Sequence, residues 1–231
     1  MTIAEKLTAI AENEQKVYDA GKQAEYDAFW DSYQENGSRT DYTGGFAGRG
    51  WTSSNFNPKY PLQPLNAGYM FYNAHRLTFQ TPDVVDFSKC TSFASTFMSG
   101  GTYIDLNIDC SSASVLNQTF AWSGLTKRVK KLIVHENLTF SNTFNQTSKL
   151  EEIEFEGVIG NSISFAQSSK LSLESAKSIL SNLKDFTGTD NELTRTVTLH
   201  ADTWALLDAD GATSPTGTTW AEYVTAKRWN M

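Results

Sequence analysis

Cysteine is nearly missing from this chain: only Cys90 and Cys110 occur in 231 residues. Two thiols build no disulfide framework and no zinc site by themselves. They are expected as small buried residues at related repeat positions, with a single bridge between them left open. Proline is scarce at five residues, which argues against a disordered or proline-stiffened chain. No apolar run approaches the ~18 residues needed to cross a bilayer, so membrane insertion is not expected. Basic charge is also short. Nineteen Lys and Arg face 26 Asp and Glu, for a net charge of −7. A polyanion is held largely by excess Lys and Arg, so nucleic acid is not an expected partner. The one dense basic run, Lys127-Arg128-Val129-Lys130-Lys131, reads as a solvated strand flank, with a phosphate or anionic-glycan contact as the other reading. The opening Met1-Thr2-Ile3-Ala4-Glu5-Lys6 has no basic segment followed by an apolar one, so a secretory signal is not expected.

Catalytic and metal-binding patterns are missing too. His75, His135 and His200 stand far apart, outside any H-E-x-x-H or Cys/His cluster. There is no G-x-S-x-G. Asp208-Ala209-Asp210-Gly211 resembles the start of a calcium loop, but the twelfth position, where an EF-hand needs Glu, is Thr219; a turn is expected. The run Gly44-Gly45-Phe46-Ala47-Gly48-Arg49-Gly50 lacks the G-x-x-x-x-G-K-[ST] order of a phosphate loop. Asn-x-Thr occurs at Asn117, Asn137 and Asn145 as a by-product of Thr-rich repeats. Carboxylates are plentiful, but no local pattern marks a pair for glycoside hydrolysis. No catalytic, cofactor-binding or metal-binding residue is expected.

Aromatic residues are what the chain has in quantity: 13%, with 14 Phe. Thr2 and Glu5 fit a capping box that opens a helix. Ile3, Leu7, Ile10 and Val17 then follow a heptad seam, with Glu14 at the skipped position and Gly21 at the next. Gly21 ends or weakens that helix. Tyr26, Phe29, Trp30 and Tyr33 form one helical face, stopped by Asn36-Gly37. Such a face packs on the chain's own repeats, or serves as an oligomer stalk or docking helix.

Four segments recur along the chain. Phe93-Ala94-Ser95-Thr96-Phe97, Leu116-Asn117-Gln118-Thr119-Phe120 and Phe140-Ser141-Asn142-Thr143-Phe144 share an apolar residue, two variable ones, Thr and Phe; Ile163-Ser164-Phe165 is a shorter copy. The phenylalanines are 23, 24 and 21 residues apart, and Phe71, 26 residues earlier, marks a degenerate copy. Leu77, Leu150 and Leu171 lie six residues after their Phe, and Leu125 five after. Strands are expected at Leu77-Thr78-Phe79, Ile104–Ile108, Leu132-Ile133-Val134 and Ile153-Glu154-Phe155. Such units bury their apolar sides by stacking into a parallel ladder with an internal column of Phe. Residues 172–231 read as a cap. Ser172 N-caps a helix with the apolar face Leu173, Ala176, Ile179, Leu180 and Leu183, ended by Thr187-Gly188. A strand follows at 194–199, then a short helix capped by Asp202 and carrying Trp204, Leu206 and Leu207. Last comes a helix with a capping box at Thr219 and Glu222, bearing Trp220, Tyr223 and Val224, with Lys227 and Arg228 at its C-terminus.

The Thr-Phe units followed by Leu resemble the irregular, BspA-like leucine-rich repeats of bacterial surface proteins. Several of the units lack the Ile-Pro and Leu positions of the regular pattern. The opening Ile3–Lys22 and Tyr26-Asp27-Ala28-Phe29-Trp30, with the closing Thr219–Val224 and Trp229-Asn230, resemble tail-associated proteins of phages and prophages of gut Gram-positive bacteria. The expected fold is α+β: a short leucine-rich-repeat-type solenoid (67–171), an N-terminal helical stalk with coiled-coil character (1–36), an ordered aromatic-rich connection (37–66) and an α/β C-terminal cap (172–231). The resemblance implies a virion or phage-tail component without enzymatic activity, homo-oligomeric with a trimer favoured, that binds a host-surface glycan or protein. A bacterial cell-surface adhesin is the alternative, and a carbohydrate-active enzyme a more distant one. Trp51 and Trp122 are candidate glycan contacts, with core packing as their other reading.

Overall fold

The computed structural model describes residues 21, 24, 25, 27–29, 31, 32, 34, 37–48, 56, 58–77, 79, 83–189, 194–209, 211 and 214–231. They form an α+β fold in which every strand pairing is parallel. In chain order the elements are β1 (Tyr103–Asp109), β2 (Val115–Asn117), β3 (Arg128–Val134), β4 (Thr139–Ser141), β5 (Glu152–Gly157), β6 (Ile163–Phe165), α1 (Leu173–Ser181), β7 (Val197–Leu199), α2 (Ala201–Ala209) and α3 (Trp220–Ala226). The sheets run β1-β3-β5, β2-β4 and β6-β7, and none closes into a barrel. Strands therefore alternate between two faces from β1 to β4. Ile104, Leu106 and Ile108 of β1 point inward at the two-residue period of a half-buried strand. The inward period of β3 breaks at Lys130-Lys131, where the register also slips, so both Val129 and Leu132 face the core.

The core is a column of phenylalanines. Phe46, Phe71, Phe97, Phe120, Phe144 and Phe165 are each no more than 2% exposed. Consecutive rings stack with centroids 5.4, 5.4, 5.5, 5.4 and 4.3 Å apart. Each buried ring contributes roughly 1.5–3 kcal/mol of burial, and each offset stack about 0.5–1.5 kcal/mol more. Leu77, Leu150 and Leu171 are buried at 1% exposure, whereas Leu125 is 53% exposed and does not join them. Leu77 and Phe79 are buried without forming a strand, contrary to the expected strand there. Their role is packing: Phe79 lies edge-on to Phe71 and Phe97.

The Thr of the repeated Thr-Phe pair has a specific task. The hydroxyls of Thr96, Thr119 and Thr143 donate to the carbonyls of Ala67, Phe93 and Leu116, each in the preceding unit. All three threonines are buried, so the bond satisfies a hydroxyl that water cannot reach, and at Ala67 and Phe93 it adds to the N–H that the carbonyl already accepts from Met70 and Thr96.

Helix α1 closes one edge of the large sheet. The N–H groups of Ile153 and Phe155 on β5 donate to the hydroxyls of Ser175 and Ser178, at 2.8 and 2.9 Å, and Asn182 Nδ2 donates to the Phe155 carbonyl. An edge strand is thus covered by side chains rather than left as a template for further pairing. Ser172 caps α1 as expected, with its hydroxyl accepting from the Ser175 N–H. The helix ends at Ser181 rather than at Thr187, because Leu183 is drawn into a parallel bridge with Ile159. Asp202 lies inside the first turn of α2 instead of capping it; the Asp202 N–H donates to His200 Nδ1. The capping box of Thr219 and Glu222 opens α3. Lys227 is the C-cap of α3, as expected, while its Nζ reaches the carbonyls of Ser181 and Leu183 around the end of α1.

At the N-terminal end, Gly21, Ala24, Glu25, Asp27, Ala28, Phe29, Asp31 and Ser32 are helical. Phe29 is 41% exposed. Ile3, Leu7, Ile10, Val17, Tyr26, Trp30 and Tyr33 lie outside the described residues, as does Trp51. The helical residues are tied to the next segment through Asp31, which accepts from Lys59 Nζ and the Tyr60 hydroxyl. The buried amide of Gln34 exchanges hydrogen bonds with the Tyr60 backbone in both directions. Among the described residues no helix is long and apolar enough to cross a membrane.

Candidate functional site: the outer face of the turn column

Each of the first five phenylalanines sits at the centre of a tight double turn. The residues two before and two after it have left-handed backbone: Gly44 and Gly48, Tyr69 and Asn73, Ser95 and Ser99, Gln118 and Trp122, Asn142 and Gln146, all with φ between 50 and 61°. After each Phe, the next residue's N–H donates back three residues, as from Ala47 to Gly44 and from Ala121 to Gln118. The alternate N–H groups point sideways to the next unit. Those of Phe46, Phe71, Phe97 and Phe120 donate to the carbonyls of Met70, Thr96, Thr119 and Thr143 at 2.8–3.0 Å. Those of the left-handed residues do the same, as from Trp122 to the Asn145 carbonyl at 2.8 Å.

This geometry places a face of side chains on the outside of the column. Left-handed backbone is cheap for Gly and tolerable for Asn, and costs other residues of order 1–3 kcal/mol. Yet two such positions carry large exposed aromatics: Tyr69 is 50% exposed and Trp122 48%. Trp122 is therefore not a core residue. Tyr69 is flanked by Tyr72, ring centroids 5.8 Å apart. Local stability favours Gly at both places.

The unit at Gly44-Gly45-Phe46-Ala47-Gly48 falls in the stretch read from sequence as a connection. The signal that could have found it was glycine two before and two after a Phe, the residue best suited to the left-handed positions.

The strand face offers no free cation cluster for an anion. The basic run of β3 is flanked by acidic strands. Arg128 makes a two-pronged pair with Asp105, 2.6 Å on both arms, and also approaches Glu152. Lys127 pairs with Glu151, and Lys131 with Glu154 and Glu156. Asp105 raises the pKa of Arg128, and Glu156 that of Lys131.

Cys90 and Cys110 are both buried and free. Burial pushes the Cys90 thiol up to about 11 and Cys110 well above the ordinary thiol value. Thiolate is the reactive form, so both are inert packing residues at neutral pH. His75 is exposed, whereas His135 Nε2 lies 2.8 Å from the Ala113 carbonyl. Helix α2 runs through Asp208 and Ala209, the start of the calcium-like run. No group of His, Cys, Asp and Glu fit to hold a metal occurs among the described residues. No family model, curated protein or solved structure matches this chain.

Proposed function

We propose that this chain is a non-enzymatic recognition protein: a short, irregular leucine-rich-repeat-type solenoid of the BspA-like kind that binds a host-surface glycan or protein as a phage-tail or other virion-associated component. The observation that carries this is the exposed indole of Trp122, held at a left-handed position where Gly is locally the better residue. Exposed aromatics on a rigid frame provide contact area with little loss of side-chain entropy. The regular ladder of turns supplies that frame. In this proposal residues 1–36 form the stalk that oligomerises, with a trimer favoured, or docks the repeats onto a larger assembly.

Pull-down of the full chain on host cell envelopes, next to its Trp122→Ala variant, tests the recognition role. Binding by the native chain and at least a tenfold loss in the folded variant are expected. Equal binding by both removes Trp122 from the role, and an absence of the chain from purified virions removes the assembly role.

A further inference from the structure

The ladder that joins the turn units stops after the fifth. In the first four, the N–H groups of the Phe and of the two left-handed residues all donate to the next unit. In the fifth, the N–H groups of Asn142 and Phe144 have no hydrogen-bond partner among the described residues, and the N–H of Gln146 is met by the side-chain oxygen of Gln167 rather than by a carbonyl. The cause lies in the sixth unit. Two residues before Phe165 stands Ile163, and a β-branched side chain disfavours left-handed backbone. Ile163 instead extends into β6, which pairs with β7 and not with β4. The rings of Phe144 and Phe165 still stack, so the core continues while the backbone ladder above it parts.

The parting leaves a cleft of about 520 Å³, inside the range of roughly 300–1,000 Å³ for small-molecule sites. Its apolar lining includes the partly exposed Phe140, with Phe144 and Ile163, each 2% exposed, beneath it. Its walls carry amides and hydroxyls, from Asn142, Asn145, Ser162, Ser164, Gln167 and Thr198. Among the described residues no ionisable side chain lines it. Trp122 does not line the cleft, but its backbone N–H is bonded to the carbonyl of Asn145, which does.

We infer that this cleft is a binding site for a neutral pyranose unit of a glycan, with the free N–H groups of Asn142 and Phe144 donating to sugar hydroxyl oxygens. The inference rests on the recognition role proposed above and assigns it a ligand class. The partly exposed Phe140 suits the C–H face of a sugar ring, and lining groups that both donate and accept suit its hydroxyls. The described lining offers no cation to pair with a sialic or uronic acid carboxylate, so a neutral ring is the better match. A backbone donor held rigid by its own turn binds without the ordering cost of a flexible side chain.

The test is titration of the isotope-labelled full chain with glucose, galactose, N-acetylglucosamine and N-acetylgalactosamine, followed by amide NMR. At least one sugar is expected to shift the Asn142 and Phe144 amides saturably, with a dissociation constant in the millimolar range. The Ser164→Lys variant, which fills an exposed wall position, is expected to lose that shift at least tenfold while the remaining spectrum is preserved. If none of the four sugars moves the two amides up to roughly tens of millimolar, or if Ser164→Lys binds as the native chain does, the site assignment is overturned. Envelope binding that persists while these amides stay still overturns only the cleft. Sugar shifts in a chain that binds no envelope leave the cleft standing and remove the host-recognition role.

Discussion

The fifth and sixth phenylalanine units differ in one backbone feature, and a hydrogen-bond ladder depends on it. Around Phe144, Asn142 and Gln146 are left-handed; around Phe165, Ile163 and Gln167 are not. Both rings are buried and stacked on each other. The two units therefore share a core and differ in whether their polar backbone continues a ribbon. Side-chain stacking and backbone pairing are separable in this fold. The apolar column needs only a Phe at the right interval. The ribbon also needs residues on either side that accept positive φ.

That contrast can be probed by substitution. The largest expected effect is on the shared core: Phe120→Ala, at the middle of the column, is expected to destabilise the chain by about 3–5 kcal/mol in chemical denaturation. A loss below about 1 kcal/mol contradicts a tightly packed column. Next comes the residue before each Phe. Thr119→Val removes the hydroxyl that the Phe93 carbonyl receives at 3.0 Å and leaves it the Thr96 N–H at 3.2 Å, a loss of about 0.5–1.5 kcal/mol. The matching change in the sixth unit, Ser164→Val, strikes an exposed side chain and is expected to stay within about 0.5 kcal/mol. Equal effects from the two erase the distinction between the units.

A smaller effect of opposite sign is expected at the left-handed positions. Gln146 is exposed with φ 58°, so Gln146→Gly is expected to raise the denaturation midpoint, by roughly 0.5–1 kcal/mol. A destabilised glycine variant argues that this backbone is not left-handed in solution. The smallest effect lies outside the column. Glu222, in the capping box of α3, is held below its ordinary value of 4.5 by the backbone N–H and the hydroxyl of Thr219. A lowered pKa contributes stability above 4.5, and that contribution is lost as pH falls through the folded-state value. Glu222→Gln is therefore expected to show a shallower acid limb in a pH series of thermal melts. An unchanged limb contradicts the capping box.

Much of this was legible in the residues, and the gaps have physical causes. The spacing of Phe71, Phe97, Phe120, Phe144 and Phe165 marks positions that the fold stacks, because burial leaves a strong compositional trace. The Thr-Phe pair was visible as a pattern, but its reason was not, since the carbonyl each hydroxyl meets lies 26 to 29 residues away. The unit around Phe46 escaped because it uses Gly where other copies use Tyr, Asn, Ser, Gln or Trp. Only backbone angle unites those residues, and a motif search does not see angles. The end of α1 was misplaced because Leu183 continues the apolar face of the helix while its backbone bridges to Ile159. In the cleft, Ile163 was itself the sequence signal. A β-branched residue at a left-handed position breaks the ribbon, but the requirement for positive φ there is known only from the other units.

Native-state amide hydrogen exchange reads the central contrast directly, residue by residue. Slow exchange at the Phe97 and Phe120 amides, both bonded to the next unit, together with fast exchange at Asn142 and Phe144, is the predicted outcome. Protection of Phe144 equal to that of Phe120 would contradict it, because the ribbon would then run unbroken past the fifth unit and the cleft would be closed.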